Sequence, residues 1–432
     1  MAAVQAKKMG LVGASSLVVA NMVGTGVFLL PSSLANIGSI SIYGWIISAI
    51  GASALGLVFA HLGMVEPQAG GPYAYARDHM GPFAAFQTNM LYWGANVIGN
   101  VAIAISVTGY LGEFFPQLEN PWLANACTAG VIWLFIWLNT RGAKTIGEFT
   151  TISTIAGILP IAFVGVLGWF WFRPEVFSAG WNPGSLPAHS AIAQSASIAL
   201  WAFLGVESAA VSAGVIENPN RNVPLATIIG LVVATVIYVS CCTAIMGILP
   251  NDELKNSAAP FADAARIMLG PWAAVVISLA AILKAAGALV GWILIVAQSA
   301  QAAAADGMFV RRFAVTNQLG MPTQNLVITG ILMTALLALT TSPTIAKQFS
   351  IITNATVVLM SIPYIYSVVS MWRLNQGIEV PTSRRRVLLV AGVIACLYCV
   401  GVVVGQSDLL GRRALIALLL TTPLFALMKR AR

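Results

Sequence analysis

The segment Leu200-Trp201-Ala202-Phe203-Leu204-Gly205-Val206-Glu207-Ser208 places an acid within a long apolar stretch of the chain. A carboxylate inside a bilayer costs about 2.5–3.5 kcal/mol on insertion scales, so it is rare there and usually functional. The ring of Trp201 precedes this acid, and Gly205 permits the helix to be interrupted beside it. Acid, ring and broken helix together predict a binding site for an organic cation.

Composition indicates an all-α polytopic membrane protein. The 432 residues are 58% hydrophobic and only 8% charged, whereas soluble domains carry about 25% charged residues. Apolar runs of about 20 residues, long enough to cross a bilayer as helices, recur throughout the chain. They predict about twelve spans, at 10–33, 40–65, 83–112, 121–140, 149–172, 190–214, 223–249, 271–303, 324–342, 347–371, 387–405 and 409–428.

The basic residues that give the net charge of +8 are concentrated on one side of the predicted topology. With the N-terminus inside, fifteen of the 22 Lys and Arg residues fall in inside segments and six in outside loops, while Lys284 falls within a span. This positive-inside bias predicts a multi-pass protein of the cytoplasmic (inner) membrane with both termini in the cytoplasm. The basic excess therefore reflects the lipid bilayer as partner, and nucleic acid is not expected to bind.

Two predicted spans carry glycines at a depth where membrane helices are usually continuous. The first contains Asn21-Met22-Val23-Gly24-Thr25-Gly26, and the sixth contains Gly205. Interrupted spans in matching places of two halves are typical of inverted-repeat transporters, although glycines that only permit close helix packing are the alternative. Amide groups freed by unwinding attract a carboxylate, and freed carbonyl groups accept from an ammonium. An amino acid presents both groups.

Further segments extend this pattern along nearly the whole chain. They are Gly24-Thr25-Gly26-Val27-Phe28-Leu29-Leu30-Pro31, Gly70-Gly71-Pro72-Tyr73-Ala74-Tyr75-Ala76, Tyr92-Trp93 with Ile98-Gly99-Asn100, Glu217-Asn218-Pro219 with Arg221-Asn222-Val223-Pro224, and Gly291-Trp292. With these segments and the run 200–208, the chain resembles the basic amino acid/polyamine antiporter branch of the amino acid–polyamine–organocation superfamily. That branch includes arginine–agmatine, lysine–cadaverine and ornithine–putrescine exchangers.

The resemblance implies an architecture as well as an activity. The expected fold is leucine-transporter-like, with a single transmembrane domain over 1–432 and with helices 1 and 6 broken. Two inverted five-helix repeats would occupy 10–172 and 190–371, and two additional helices would occupy 387–428. Homodimers are frequent in the family, so a homodimer is possible here.

The resemblance also implies a role for each site residue. The broken first helix at Val23, Gly24, Thr25 and Gly26 would hold the substrate's amino and carboxylate groups. Trp201 would close over the substrate from outside, Trp292 would stack on its tail, and Tyr92 with Glu207 would form part of the inner barrier. These four are the expected gating residues. Ala95, Asn96, Asn100 and Thr356 would line the pocket for the distal cation. Ala202 and Leu204 are further expected substrate-binding residues.

The sequence does not identify which amino acid and which amine are exchanged. Asn96 matches the lysine–cadaverine pattern, whereas the segments 100–106 and 169–172 are similar to the ornithine–putrescine member. Ala202 matches both the polyamine and the cadaverine members, and the arginine exchanger has serine there. Arg77 departs from the ornithine–putrescine member, which carries an acid there.

Lys284 also departs from the family, where its position holds a small residue. It lies deep in the eighth predicted span. Its stem could reach an aqueous vestibule. Alternatively, its ammonium could replace a sodium ion where helices 1 and 8 meet, or pair with Glu207.

We therefore predict a secondary antiporter that exchanges a cationic amino acid for its decarboxylated amine or polyamine by alternating access. The alternative is proton-coupled uptake of an amino acid or polyamine, with Lys284 as a built-in cation and coupling residue. The spans are too apolar for a channel pore. An enzyme is not expected, because the acids and histidines do not converge, and the three histidines have no acid partner at useful spacing. No cofactor or metal is predicted.

Overall fold

A computed structural model of the protein describes residues 9–24, 26–67, 71–213, 216–405 and 416–426. These ranges are helical and contain no β-strand, apart from a single parallel bridge between Met9 and Ile216. The α-helices in chain order are α1 Leu11–Met22, α2 Gly26–Ala35, α3 Ser41–Val65, α4 Gly71–Met80, α5 Pro82–Leu111, α6 Pro121–Asn139, α7 Ala143–Leu167, α8 Pro174–Ala179, α9 Ala188–Phe203, α10 Ser208–Val211, α11 Pro219–Ile248, α12 Asn251–Leu254, α13 Pro260–Leu269, α14 Pro271–Ala305, α15 Thr323–Leu339, α16 Ile345–Gly377, α17 Thr382–Gly405 and α18 Ile416–Ala426.

Ten helical segments among the described residues are long and apolar enough to cross a membrane. Two of these segments combine a pair of helices, α1 with α2 and α9 with α10. Two shorter apolar helices, α15 and α18, lie where the ninth and twelfth spans were predicted. Residues 406–415, which include the start of the predicted twelfth span, lie outside the described residues. The prediction of a multi-pass helical membrane protein is confirmed.

The outer surface of the helices is apolar. Large side chains such as Trp122, Leu339, Phe170 and Val404 are mostly exposed. Continuous apolar surface of this kind is not tolerated in water by a monomeric protein, but it is the natural lipid-facing surface of a membrane bundle. A set of polar side chains, among them Asn100, Glu207 and Lys284, is instead enclosed between the helices.

Both predicted helix interruptions occur. Helix α1 ends at Met22 and α2 begins at Gly26, while α9 ends at Phe203 and α10 begins at Ser208. Gly205 has φ +101°, and an added Cβ there would lie 3.3 Å from backbone atoms of Asn21. Glycine is therefore required at 205 both for its backbone conformation and for the close approach of the other interrupted helix.

Helix α5 lies at the centre of the packing that positions the site. It packs against α14 on one side and α16 on another. Helix α1 packs along α11, and the hydroxyl of Tyr238 in α11 donates a hydrogen bond to the carbonyl of Met22. The Met22 carbonyl also accepts from the Gly24 amide at 2.6 Å. The freed backbone at the first interruption is thus partly satisfied within the protein, as burial away from water requires.

Helix α4 makes polar contacts with helix ends distant in sequence. Its Arg77 pairs with Asp306 at 3.0 Å, and Tyr73 donates to the same carboxylate at 2.8 Å. His79 lies 2.9 Å from Glu66. The prediction that the histidines lack an acid partner is therefore wrong for His79, because α4 places this residue beside Glu66, at the end of α3 and thirteen residues away in the sequence.

Candidate functional site

A small cavity of about 30 Å³ lies where the interrupted helices meet α5, α14 and α16. Its lining combines two tryptophan rings with uncharged polar groups. The lining residues are Asn21, Met22, Gly24, Asn96, Gly99, Asn100, Ile103, Trp201, Leu204, Trp292 and Thr356. A water needs roughly 10–15 Å³ of such volume, so the cavity has room for about two or three waters. A diamine or amino acid therefore needs the surrounding side chains or helices to move.

Seven of the predicted substrate-binding residues line this cavity: Gly24, Asn96, Asn100, Trp201, Leu204, Trp292 and Thr356. Four others do not line it, although all four are buried: Val23, Ala95, Ala202 and Glu207. Tyr92, predicted for gating only, is also buried outside the lining. Gly26 is the first residue of α2, and Thr25 lies outside the described residues.

Sequence reasoning missed four lining residues: Asn21, Met22, Gly99 and Ile103. Gly99 and Ile103 recur with Asn96 and Asn100 at the three- and four-residue spacing of one helix face. That periodicity was a sufficient signal for both. Asn21 and Met22 immediately precede the predicted interruption, and only the paths of α1 and α9 show that both residues line the cavity.

The two asparagines of α5 differ in their hydrogen bonding. The Asn96 amide donates to the Tyr92 carbonyl in its own helix at 2.8 Å. Asn100 is 1% exposed, and neither its Nδ2 nor its Oδ1 has a hydrogen-bond partner within the described part of the chain. Buried polar groups are nearly always paired, so an orphaned amide facing a cavity indicates a place where a ligand's polar group binds.

Trp201 closes one side of the cavity. An added Cβ at Gly99 would lie 3.2 Å from the Cζ3 and Cη2 atoms of its ring, so the absence of a side chain at 99 makes room for the indole. The ring also contacts Phe349 edge to face, with the centroids 6.2 Å apart. Its Nε1 has no hydrogen-bond partner among the residues described. Trp292, from α14, lines the same cavity and is only partly buried.

Glu207 is held by three hydrogen-bond donors. Its carboxylate accepts from the hydroxyl of Tyr92 at 3.2 Å, from the hydroxyl of Tyr364 at 2.8 Å and from the amide of Gly205 at 3.1 Å. The side chain is 1% exposed, and it forms no ion pair within the part of the chain that the structure describes. The sequence pattern identified Tyr92 but not Tyr364.

These contacts set the energetic cost of burying Glu207 when no cation is bound. A buried carboxylate with no partner would cost several kcal/mol. Three donors to a carboxylate stabilise its charged form and offset part of the desolvation cost. The donors are neutral, however, so the negative charge remains available to attract a cation.

Lys284 does not pair with Glu207. Its Nζ donates to the carbonyl of Ala20 in α1 at 3.1 Å and lies 3.3 Å from the hydroxyl of Thr154 in α7. The side chain is 1% exposed, so it does not reach an aqueous vestibule in this conformation. Gly157 lies directly against the stem of Lys284, where any larger side chain would collide with it. Of the alternatives derived from the sequence, the structure favours the contact with the first helix.

The chain is similar to known proteins over most of its length. A family model described as amino acid permease matches residues 9–414. The cadaverine/lysine antiporter of Escherichia coli (strain K12) is 38% identical over 408 residues, which are 93% of this chain and 91% of the antiporter. The putrescine transporter PotE of the same strain is 36% identical over 398 residues, or 92% and 91% of the two chains. PotE of Haemophilus influenzae (strain ATCC 51907 / DSM 11121 / KW20 / Rd) is 35% identical over 396 residues, with the same coverage.

Proposed function

This chain belongs to the amino acid permease family, and we propose that it is a secondary antiporter exchanging a cationic amino acid for the amine formed by its decarboxylation. The resemblance to basic amino acid/polyamine antiporters is confirmed by the relatives of 35–38% identity. Their names refer to lysine with cadaverine and to putrescine. A lysine–cadaverine or ornithine–putrescine exchange is therefore the best-supported chemistry, and arginine–agmatine exchange remains a member of the test panel.

One observation carries the proposal for this chain: the cavity at the helix interruptions combines tryptophan rings with an orphaned asparagine amide, close to a buried acid. The lining has no Lys, Arg or His side chain, so nothing there repels an ammonium group. Each indole face attracts a cation by about 0.5–2 kcal/mol. Asn100 offers a carbonyl oxygen to the distal ammonium group of the substrate. Gly24 and Leu204 lie at the helix interruptions, where free backbone groups bind the substrate's α-amino and carboxylate groups.

Alternating access follows from the small size of this cavity. Trp201, together with the segment around Gly205, is proposed to move outward when substrate enters from outside. Tyr92 and Glu207, joined by their hydrogen bond, are proposed to form part of the inner barrier, with Tyr364 as an additional member. A cation that reaches Glu207 competes for the carboxylate and weakens this barrier. Exchange is favoured because each cargo supplies the charge that opens the barrier.

The proposed architecture is the 5+5 inverted repeat with two further helices. The repeats are assigned to 10–172 and 190–371, and the additional helices to 387–428. The matching positions of the two interruptions, in the first helix of each assigned repeat, support this arrangement. We further propose a location in the inner membrane with cytoplasmic termini, from the positive-inside bias, and a homodimer by similarity to the family.

A second candidate is proton-coupled uptake, which the position of Lys284 favours. Its ammonium bridges α1 and α7 from α14. A built-in cation there would stabilise α1 without cargo, and its loss of a proton would release α1. Under this mechanism the unloaded carrier can return across the membrane, and a proton gradient drives net uptake.

Counterflow in proteoliposomes tests the proposal. Purified protein is reconstituted into vesicles preloaded with cadaverine, putrescine, agmatine or a neutral amino acid, and uptake of labelled lysine, ornithine or arginine is measured. We expect rapid uptake only when a cationic amine is inside. Equal uptake into empty vesicles at matched pH would contradict obligatory exchange, and uptake driven by a pH gradient would support the second candidate.

A further inference from the structure

An apolar groove and a polar pocket meet at Arg386, on the outer surface of the bundle. The groove has a volume of about 700 Å³ and is formed by α3, α11 and α17. The pocket has a volume of about 290 Å³ and lies between the end of α16 and the start of α17. Arg386 lines both. Neither cavity shares a residue with the candidate transport site.

The groove has the chemistry and length of an acyl-chain site. Alanines at positions 49, 54 and 391 leave a cleft between the three helices, and Ile50, Val232 and Val390 form its walls, each 55% exposed. Along α17 the groove extends from Arg386 to Ile394, which is about 12 Å of helical rise. The hydrocarbon of one leaflet is about 15 Å deep, half of a core of about 30 Å. One lipid chain therefore matches the groove.

The pocket has the chemistry of an anion site. Arg385 and Arg386 are exposed and form no ion pair within the described residues. Asn375, Gln376 and Thr382 add uncharged polar groups to the lining. Trp372 is another lining residue; its indole Nε1 is buried against Gly392 of α17 and has no partner among the side chains and backbone described. Guanidinium groups with additional N–H donors match the geometry of a phosphate group.

We propose that the groove and the pocket together bind one anionic phospholipid. Its phosphate group sits on Arg385 and Arg386, and one of its acyl chains occupies the groove. Charge complementarity selects an anionic over a zwitterionic head group, since each basic residue in contact with the head group raises the affinity for anionic lipid about fivefold. Under the proposed topology this site faces the cytoplasmic leaflet. The inference is independent of which substrate is transported.

The bound lipid would act as a brace between helices. Helix α17 packs against α3 and α16, and α3 packs against α11. An acyl chain in the groove adds contacts among α3, α11 and α17. Since α11 also packs along α1, the lipid site is one helix away from the first interruption.

Native mass spectrometry of the full-length protein, titrated with phosphatidylglycerol or phosphatidylcholine in mild detergent, tests the proposal. We expect one phosphatidylglycerol to bind more tightly than phosphatidylcholine. Arg386→Gln should weaken its binding about fivefold and the double change with Arg385→Gln about 25-fold. Arg384→Gln is the matched control, because Arg384 belongs to the same basic run, contacts Met64 and lines neither cavity.

The groove is tested separately from the charge. Val390→Trp should fill the cleft and displace the lipid, whereas Val393→Trp, at a 44% exposed position of α17 outside the lining, should not. Equal binding of the two lipids, or equal losses with Arg384→Gln and Arg386→Gln, would overturn the proposal. So would displacement of the lipid by millimolar glycerol phosphate, which would indicate a site for soluble anions. If Val390→Trp converts a dimer to a monomer and leaves lipid binding unchanged, the groove is instead an interface between copies of the chain.

Discussion

The side-chain amide of Asn21, in the last turn of α1, donates a hydrogen bond of 2.9 Å to the hydroxyl of Ser208, the first residue of α10. This bond joins the two interrupted helices directly. The backbone of Asn21 also lies against Gly205. The two interruptions therefore meet in one contact region. Displacement of one interrupted helix alters the contacts that hold the other in place.

Asn21 and Ser208 should be energetically coupled. Asn21→Ala and Ser208→Ala each remove the same hydrogen bond, so the double variant should lose about 0.5–1.5 kcal/mol less stability than the sum of the single variants. Thermal unfolding in detergent and exchange rates in vesicles measure this difference. Asn125→Ala combined with Ser208→Ala is the control pair, since Asn125 bonds to Thr341 and not to Ser208. Additive effects for Asn21 with Ser208 would show that the bond does not couple the helices.

Glu207 should be required for the transport of cations. Glu207→Gln retains the shape of the side chain and removes its charge, so exchange of diamines should slow by about 10–100-fold, the range of a charged hydrogen bond. Tyr364→Phe, which removes one donor, should have a smaller effect. Counterflow measures both rates. Glu119→Gln, at an exposed position at the end of the short 3-10 helix Pro116–Glu119, serves as control. Wild-type exchange by Glu207→Gln would show that this acid has no part in the mechanism.

Trp292 and Trp201 should have separable roles. Trp292→Leu keeps apolar bulk and removes the π face, so substrate affinity should fall by a factor of a few to about 30, corresponding to about 1–2 kcal/mol. Trp201→Leu should mainly slow transport, because a lid acts on closure. Calorimetry reports affinity and counterflow reports rate. Trp122→Leu, at an exposed lipid-facing position, is the control. Equal effects of both cavity variants on binding would indicate that the two rings only pack.

Substitution of Lys284 should distinguish exchange from net uptake. Under the second candidate, wild-type protein accumulates substrate in empty vesicles when a pH gradient is applied, and Lys284→Met abolishes this uptake while sparing exchange. Under the preferred function, empty vesicles accumulate nothing with either protein. Uptake into empty and preloaded vesicles separates these outcomes. Lys347→Met, which removes an exposed cation, controls for net charge. Robust wild-type uptake into empty vesicles would exclude obligatory exchange.

Asp263 lies in α13, the short helix that precedes α14, and should give the protein a pH-dependent stability. Burial, which outweighs the hydrogen bond from Ser257, raises the pKa of its carboxyl group above the ordinary value. The folded state therefore holds the proton more tightly than the unfolded state. Its stabilising contribution is present below the unfolded pKa and is lost as pH rises through the folded pKa. Melting temperatures between about pH 4 and 7 should fall less with rising pH for Asp263→Asn than for the wild type.

The control for this effect is Asp252→Asn, at a highly exposed carboxylate. That substitution should leave the pH dependence of melting unchanged. Parallel curves for Asp263→Asn and the wild type would contradict the role of burial at Asp263.

Span positions were predictable because each depends on a local property. About 20 consecutive apolar residues suffice to cross the hydrocarbon, wherever the segment packs. The predicted spans 40–65 and 271–303 accordingly differ by at most two residues from Ser41–Val65 and Pro271–Ala305. The helix interruptions were also predictable, since glycine weakens a helix through its own backbone. A tertiary contact was needed to explain why Gly205 has to be glycine.

The sequence by itself determined the helical membrane fold, the positions of its spans and interruptions, and the asparagine face of α5. These follow from hydrophobicity and from a repeat of three to four residues. Only the tertiary structure decided which groups satisfy the buried charges. Glu207 bonds Tyr364, 157 residues away, and Lys284 bonds Ala20, 264 residues away. Such partners depend on the relative rotation and depth of packed helices, and no local pattern in the chain encodes that relationship.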